Sequence, residues 1–282
     1  MNLYSIAILI CWYGPYPWYF PYFIHSCSYN STIDFFIITD NQASINNKPE
    51  NVKIIYKTLE EIKATASKKL GFTVCIDDPY KLCDFKPTYG FIFSKYIDGY
   101  DFWGAGDIDV IYGQLRDFLT PNLFDSYDIF SFRPEYLTGC LTIFRNTKKI
   151  NELFMQSRDY KVVFSKNEYY NFDECNFMFV PLWAGVAIDE VPYRIESMTH
   201  FVKRKLKEGY LNAYFDFNLI EGTIGNVKWI KGRIIYKSQF EAILYHLLKF
   251  KDCYKKKYQL TQMKKNEAIC FSKKNIYKRN IA

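Results

Sequence analysis

The stretch Tyr100-Asp101-Phe102-Trp103-Gly104-Ala105-Gly106-Asp107-Ile108-Asp109-Val110-Ile111-Tyr112-Gly113 passes from an aromatic, strand-like run through two glycines into Asp-Ile-Asp, then into a second apolar run. In extended backbone Asp107 and Asp109 fall on one side and Ile108 points back into the fold, because a strand repeats every two residues. Two carboxylates this close repel each other unless a cation sits between them. Hard oxygen ligands suit Mg²⁺ or Mn²⁺, which take their remaining ligands from water and substrate phosphates, so a diphosphate is the natural partner. A solvated acidic turn is the competing reading. The flanking apolar runs favour the metal, with Gly104 and Gly106 read as positions where a ligand or backbone approaches closely.

Upstream, Ser5 to Trp12 reads as a first strand and Ile33 to Thr39 as a second, continuous and apolar as a buried parallel strand should be. Val52 to Tyr56 is a third, and Thr58 with Glu61 has capping-box spacing at the start of a helix. In this βαβ order the loop Tyr13-Gly14-Pro15 and the residue Asp40 leave the carboxyl ends of strands one and two, where open α/β sheets admit ligands. Tyr13 and Gly14 are therefore read as nucleotide contacts and Asp40 as a base or ribose contact. Aromatic packing and a surface turn are the alternatives. Pro87 opens a helical segment through Tyr96, and Lys81 or Lys86 at its start offers a point charge to a diphosphate.

Downstream, Phe172-Asp173-Glu174-Cys175 is a second acidic feature. A carboxylate that takes the proton from an acceptor hydroxyl must lie near the reacting carbon, and Asp173, then Glu174, are the candidates. Carboxylates stabilising a helix start are the alternative. Ala213 to Phe217, Val227 to Ile230 and Arg233 to Tyr236 alternate like antiparallel strands, the last two joined by a Lys231-Gly232 turn that walls the acceptor side.

The central motif, with Pro79 to Gly90 (Pro-Tyr-Lys-Leu-Cys-Asp-Phe-Lys-Pro-Thr-Tyr-Gly) before it and Arg145-Asn146-Thr147, Phe172-Asp173-Glu174 and Tyr245-His246-Leu247-Leu248-Lys249 after it, resembles bacterial glycosyltransferase-like proteins of the GT-A type. These are similar to enzymes of capsule and lipopolysaccharide synthesis, and the resemblance spans nearly the whole chain. It implies a Rossmann-type, mainly parallel sheet with an antiparallel addition and helices on both faces. It also implies a nucleotide-sugar donor and a carbohydrate or lipid-linked glycan acceptor. By the same resemblance, Asp84 and Lys86 line the nucleotide-sugar pocket, with a mutual salt bridge as the alternative, and Thr138-Gly139-Cys140 lies on the acceptor side. A late histidine completes the metal site with a lysine near the phosphates. His246 with Lys249 fits that role and His200 with Lys203 is the reserve, while an amphipathic helix from Phe240 to Phe250 would instead put His246 at a core edge.

A chain of 282 residues with 49% hydrophobic and 20% aromatic content is folded, not disordered. From Lys249 onward eleven basic residues face two acidic ones, giving +9 of the chain's +7, so residues 1–248 carry −2. The reading is one GT-A-like domain, 1–248, and a basic tail, 249–282, suited to peripheral contact with an anionic inner membrane face or to solvation. Nucleic acid ranks last among its partners. Eight cysteines without a Cys-x-x-Cys pair, and an apolar start with no preceding Lys or Arg, broken by Pro15, Pro17 and Pro21, fit a cytoplasmic protein. The function expected is sugar transfer from a nucleotide diphosphate. A carbohydrate- or nucleotide-binding protein of the same fold without turnover, and a metal-dependent phosphoesterase, are the alternatives.

Overall fold

The computed structural model describes residues 3–254 and 267–280. Its centre is a seven-stranded sheet in the order β3-β2-β1-β4-β7-β6-β8. The first half, β1 (Ile6–Cys11), β2 (Ile33–Thr39), β3 (Val52–Tyr56) and β4 (Phe102–Gly106), is parallel throughout. Past β4 run β7 (Leu141–Arg145), antiparallel to both neighbours, then β6 (Ile129–Ser131) and β8 (Ala213–Phe215), which are parallel to each other. The protein is thus α/β with a mainly parallel sheet and an antiparallel addition. The strand at 213 was expected in an antiparallel set, but it adds to the edge of the main sheet.

Strands buried on both faces explain the unbroken apolar runs. In β1, Ile6, Ile8 and Ile10 face one core, shared with α1 (Phe20–Cys27), while Ala7 and Leu9 face another, shared with α2 (Leu59–Leu70). Helices therefore cover both sides. The capping box forms at the start of α2: Glu61 N–H donates to Thr58 Oγ1 at 3.2 Å and Thr58 N–H to Glu61 Oε2 at 2.8 Å. Gly71 ends the helix at φ +77°, a conformation that glycine adopts without steric cost.

Two smaller sheets complete the fold. One pairs β5 (Val110–Tyr112) antiparallel with β13 (Leu244–His246), which runs parallel to β9 (Leu219–Ile220). The other has five strands in the order β12-β11-β10-β14-β15. Its hairpin joins β10 (Val227–Ile230) to β11 (Arg233–Tyr236) through Lys231 and Gly232, both at positive φ, as a tight hairpin turn requires. Then come β12 (Phe240–Ala242), β14 (Glu267–Phe271) and β15 (Ile276–Asn280). Residues 240–250 are therefore two strands and the start of a short helix, Leu248–Cys253, and not one amphipathic helix.

The boundary drawn between 248 and 249 runs through packed structure. Phe250 is buried, and β14 pairs with β10 in register from Val227–Phe271 to Ile230–Ala268. Residues 255–266, which hold five of the basic residues counted for the tail, lie outside the described residues. Among the described residues no helix is long and apolar enough to cross a membrane.

Candidate functional site

Asp107 follows the last residue of β4, and its N–H still bonds to Cys140 O at 3.2 Å, continuing the pairing with β7. The chain then bends, Ile108 is buried in the core, and Asp109 leads into β5. The β5–β13 ladder sets Val110 opposite His246, and Leu247 N–H bonds to Asp109 O at 2.8 Å, so the imidazole is delivered beside the second carboxylate by strand register. Asp107, Asp109 and His246 each offer a ligand atom, and these lie within 4.8 Å of one another. The three residues that the sequence assigned to a metal are together.

Two carboxylates and an imidazole are a donor set that could hold a metal ion. His246 Nδ1 lies 3.1 Å from Glu221 Oε1, which leaves Nε2 directed at Asp109 Oδ2, 3.4 Å away. A carboxylate behind a ligating imidazole fixes its tautomer and raises its basicity. Burial alone would raise the Asp109 pKa, but His246 and Lys251 outweigh it and hold the carboxylate below its ordinary range. Burial likewise opposes charge on His246, and Cys140 and Asp109 facing the ring outweigh it, so its pKa is raised.

Each aspartate also holds a lysine. Lys251 Nζ is 2.6 Å from Asp109 Oδ2, and Lys86 Nζ is 2.7 Å from Asp107 Oδ1. Lys86 further donates to Gly139 O at 2.8 Å and lies 3.8 Å from Asp173 Oδ2, so one ammonium ties the metal-side carboxylate to the second acidic feature. Burial works against its charge, yet Asp107 more than offsets this and the pKa is raised.

Asp173 and Glu174 lie in a run of turns and do not start a helix. Glu174 is anchored: Gly139 N–H donates to Oε1 at 2.8 Å and Asn171 Nδ2 to Oε2 at 2.7 Å. Asp173 is buried, and its Oδ1 has no hydrogen-bond partner among the described residues. Burial raises the pKa of both carboxyls; Lys86 opposes it for Asp173 and the Asn171 bond for Glu174.

Several expected contacts are placed differently. Asp84 is fully buried and pairs with Lys81 at 2.8 Å, not with Lys86. Its two oxygens accept from Phe172 N–H and Tyr170 N–H at 2.8 and 2.9 Å. A nucleotide cannot reach it; it pins the segment that carries Asp173. Lys249 is exposed, whereas Lys251 reaches Asp109, because two residues along a helix turn a side chain through about 200°. His200 accepts from Ser197 N–H at 3.3 Å as part of a helix cap, and Lys203 bonds to the Pro134 and Glu135 carbonyls, so the reserve pair is engaged elsewhere. Gly104 and Gly106 admit protein and not a ligand. A Cβ at Gly104 would meet Thr142 O at 3.3 Å, and one at Gly106 would meet Tyr112 Oη at 3.1 Å.

At the carboxyl ends of β1 and β2, Gly14 N–H donates to Asp40 Oδ1 at 3.1 Å, joining the loops that follow the two strands. Tyr13 is half-buried against the α2-side core, and its hydroxyl has no partner among the described residues. Glu221 and Lys251 were not singled out from the sequence. Only the placement of β9 and the helix at 248 brings them in, and no local motif marks them.

Residues 8–279 match the sequence profile of DUF6625, a family of unknown function. The chain belongs to that family. No curated protein matches it. Among solved structures, one of the galactosyltransferase LgtC in complex with donor and acceptor sugar analogs is 12% identical, with a TM-score of 0.37, covering 64% of this chain and 72% of that one. An active-site mutant of LgtC is 13% identical with a TM-score of 0.38, covering 64% and 71%.

Proposed function

We propose that this member of DUF6625 is a metal-dependent glycosyltransferase, moving a hexose from a nucleotide-diphosphate-sugar donor to a carbohydrate or lipid-linked glycan hydroxyl in bacterial surface polysaccharide synthesis. The observation that carries the reading is the convergence of Asp107, Asp109 and His246 at the carboxyl end of β4. The motifs quoted from the sequence, which resemble those of capsule and lipopolysaccharide enzymes, support the pathway. The protein would work in the cytoplasm, with the basic residues after 248 other than Lys251 contacting the inner membrane face.

Asp107, Asp109 and His246 would hold Mn²⁺ or Mg²⁺, which offsets charge on a leaving diphosphate when bound. Gly14 and Asp40, at the ends of β1 and β2, would meet the nucleoside, with Tyr13 beside them. Lys86 and Lys251, each beside one of the two aspartates, would face the phosphates. In a single displacement Asp173 takes the acceptor's proton as that oxygen bonds to the anomeric carbon and the bond to the diphosphate breaks. Lys86 and the anchored Glu174 hold Asp173 in place.

A thermal-shift panel of nucleotide diphosphates and their sugars, with and without Mn²⁺, tests the reading on wild type and Asp109→Asn. A ligand at a hundred times its dissociation constant adds about 2.7 kcal/mol of apparent stability. The expected result is a metal-dependent shift with one base, lost in the variant. No shift with any nucleotide overturns the donor site.

A further inference from the structure

We infer that the cavity between β9 and the β11–β12 turn is a carbohydrate subsite that seats a pyranose ring of the acceptor. The inference rests on the transferase reading for the word acceptor, but not for the sugar. The cavity measures about 350 Å³ and is lined from Phe217, just after β8, through β9 to Phe240 in β12. That is at the small end of ligand pockets, which run from roughly 300 to 1,000 Å³, and fits a ring or two but not a helix or an extended chain.

Its walls have the mixed character of a sugar. Phe217 and Phe240 stand with ring centroids 5.7 Å apart and planes inclined at 36°, an apolar wedge for the C–H face of a pyranose. Phe217 is 47% exposed, so part of its ring is open to a ligand. Opposite lie groups that pair with hydroxyls: the Thr223 and Tyr236 hydroxyls, 3.3 Å apart, with Glu221 and Gln239. A purely apolar partner would leave these polar groups unmatched, and Glu221 with Lys237 gives the lining one charge of each sign and no positive excess for an anion.

The cavity also joins the chemistry. Glu221 lines it and, from the same carboxylate, holds His246 Nδ1 at 3.1 Å, so a ring bound there rests against the residue that orients the metal ligand. Glu221 lies within electrostatic reach of Glu174, the neighbour of Asp173. Arg133 stands over Phe217 and over Trp183, at 5.4 and 5.8 Å from the ring centres, and the exposed Trp183 carries the aromatic surface outward for a second sugar unit.

The test is saturation-transfer NMR on the full chain with methyl pyranosides of glucose, galactose, mannose and N-acetylglucosamine and their disaccharides. Wild type, Phe217→Ala and Thr223→Val are compared, and the Mn²⁺-nucleotide shift is measured in parallel. Phe217 is half-exposed, so its removal spares the fold. At least one sugar should receive saturation in wild type, reduced fivefold or more in Phe217→Ala and weakened in Thr223→Val, with the nucleotide shift intact in both. No sugar signal, or one unchanged in Phe217→Ala, overturns the subsite while the nucleotide shift stands. A sugar signal lost in Phe217→Ala, with no nucleotide shift in wild type, upholds the subsite and overturns the transferase reading instead.

Discussion

Lys251 Nζ lies 2.6 Å from Asp109 Oδ2, the same oxygen that His246 Nε2 approaches to 3.4 Å. An ammonium group therefore stands on the carboxylate oxygen that a divalent cation would take. In Lys251→Gln that competitor is gone, and Mn²⁺ without nucleotide should bind on the order of tenfold more tightly, since one close charge pair near a surface carries at most a few kcal/mol. The nucleotide diphosphate, having lost a cation, should bind more weakly. Electron paramagnetic resonance titration of Mn²⁺ reads the first effect; an unchanged affinity would mean that Lys251 and the metal do not share an oxygen.

Asp173 gives a pH-dependent stability of known sign. Burial raises its pKa despite Lys86, so the folded state favours the protonated acid. Its contribution is full below the ordinary Asp range near 4 and is lost as pH rises towards the folded value. Asp173→Asn removes that loss. The variant should melt above wild type near neutral pH, with the gap closing towards pH 4, while transfer falls by roughly 10²–10⁴. A variant that is both less stable and active would place the base elsewhere.

Removing one partner of a buried ion pair leaves the other uncompensated, at about 3–5 kcal/mol. Asp84→Asn should lose stability on that scale in urea, because Lys81, Tyr170 N–H and Phe172 N–H all depend on the carboxylate. Nucleotide affinity measured well below the melting temperature should stay within twofold of wild type. A direct ligand contact would reverse that order.

Gly139 packs under both acidic side chains. A Cβ there would come 2.9 Å from Asp173 Oδ2 and 3.0 Å from Glu174 Oε1. These are the ends of side chains that Lys86 and Asn171 already hold, so they give way only by straining those contacts. Gly139→Ala should therefore cost about 1–3 kcal/mol, as overpacking a filled site does, and lower kcat tenfold or more by displacing the carboxylates. Unaltered kcat would show that their positions do not matter to the reaction.

The parallel half of the sheet is legible because β1, β2 and β4 are buried on both faces, and continuous apolar runs ending in Asp40 and Asp107 mark strands and their carboxyl ends. Asp109 and His246 could be paired only through the resemblance, since the β5–β13 ladder that joins them links segments far apart in sequence. The resemblance points to Lys249 and nothing in the sequence points to Lys251, because nothing local fixes the helical phase after Leu248. Asp84 looked like a ligand because an acid between two lysines gives no sign of which one it meets or how deeply it lies. Glu221 sits beside a two-residue strand, too short to carry a periodic signal.

Asp109 and Lys251 are 142 positions apart, and His246 comes almost as late. During synthesis the carboxylate of Asp109 emerges long before His246 and Lys251 exist. A nascent chain that stops short of residue 246 has both aspartates and no imidazole or ammonium to set beside Asp109. The three groups that could hold a metal ion therefore meet only after residue 246 has been made, and products truncated before it carry the acidic motif alone.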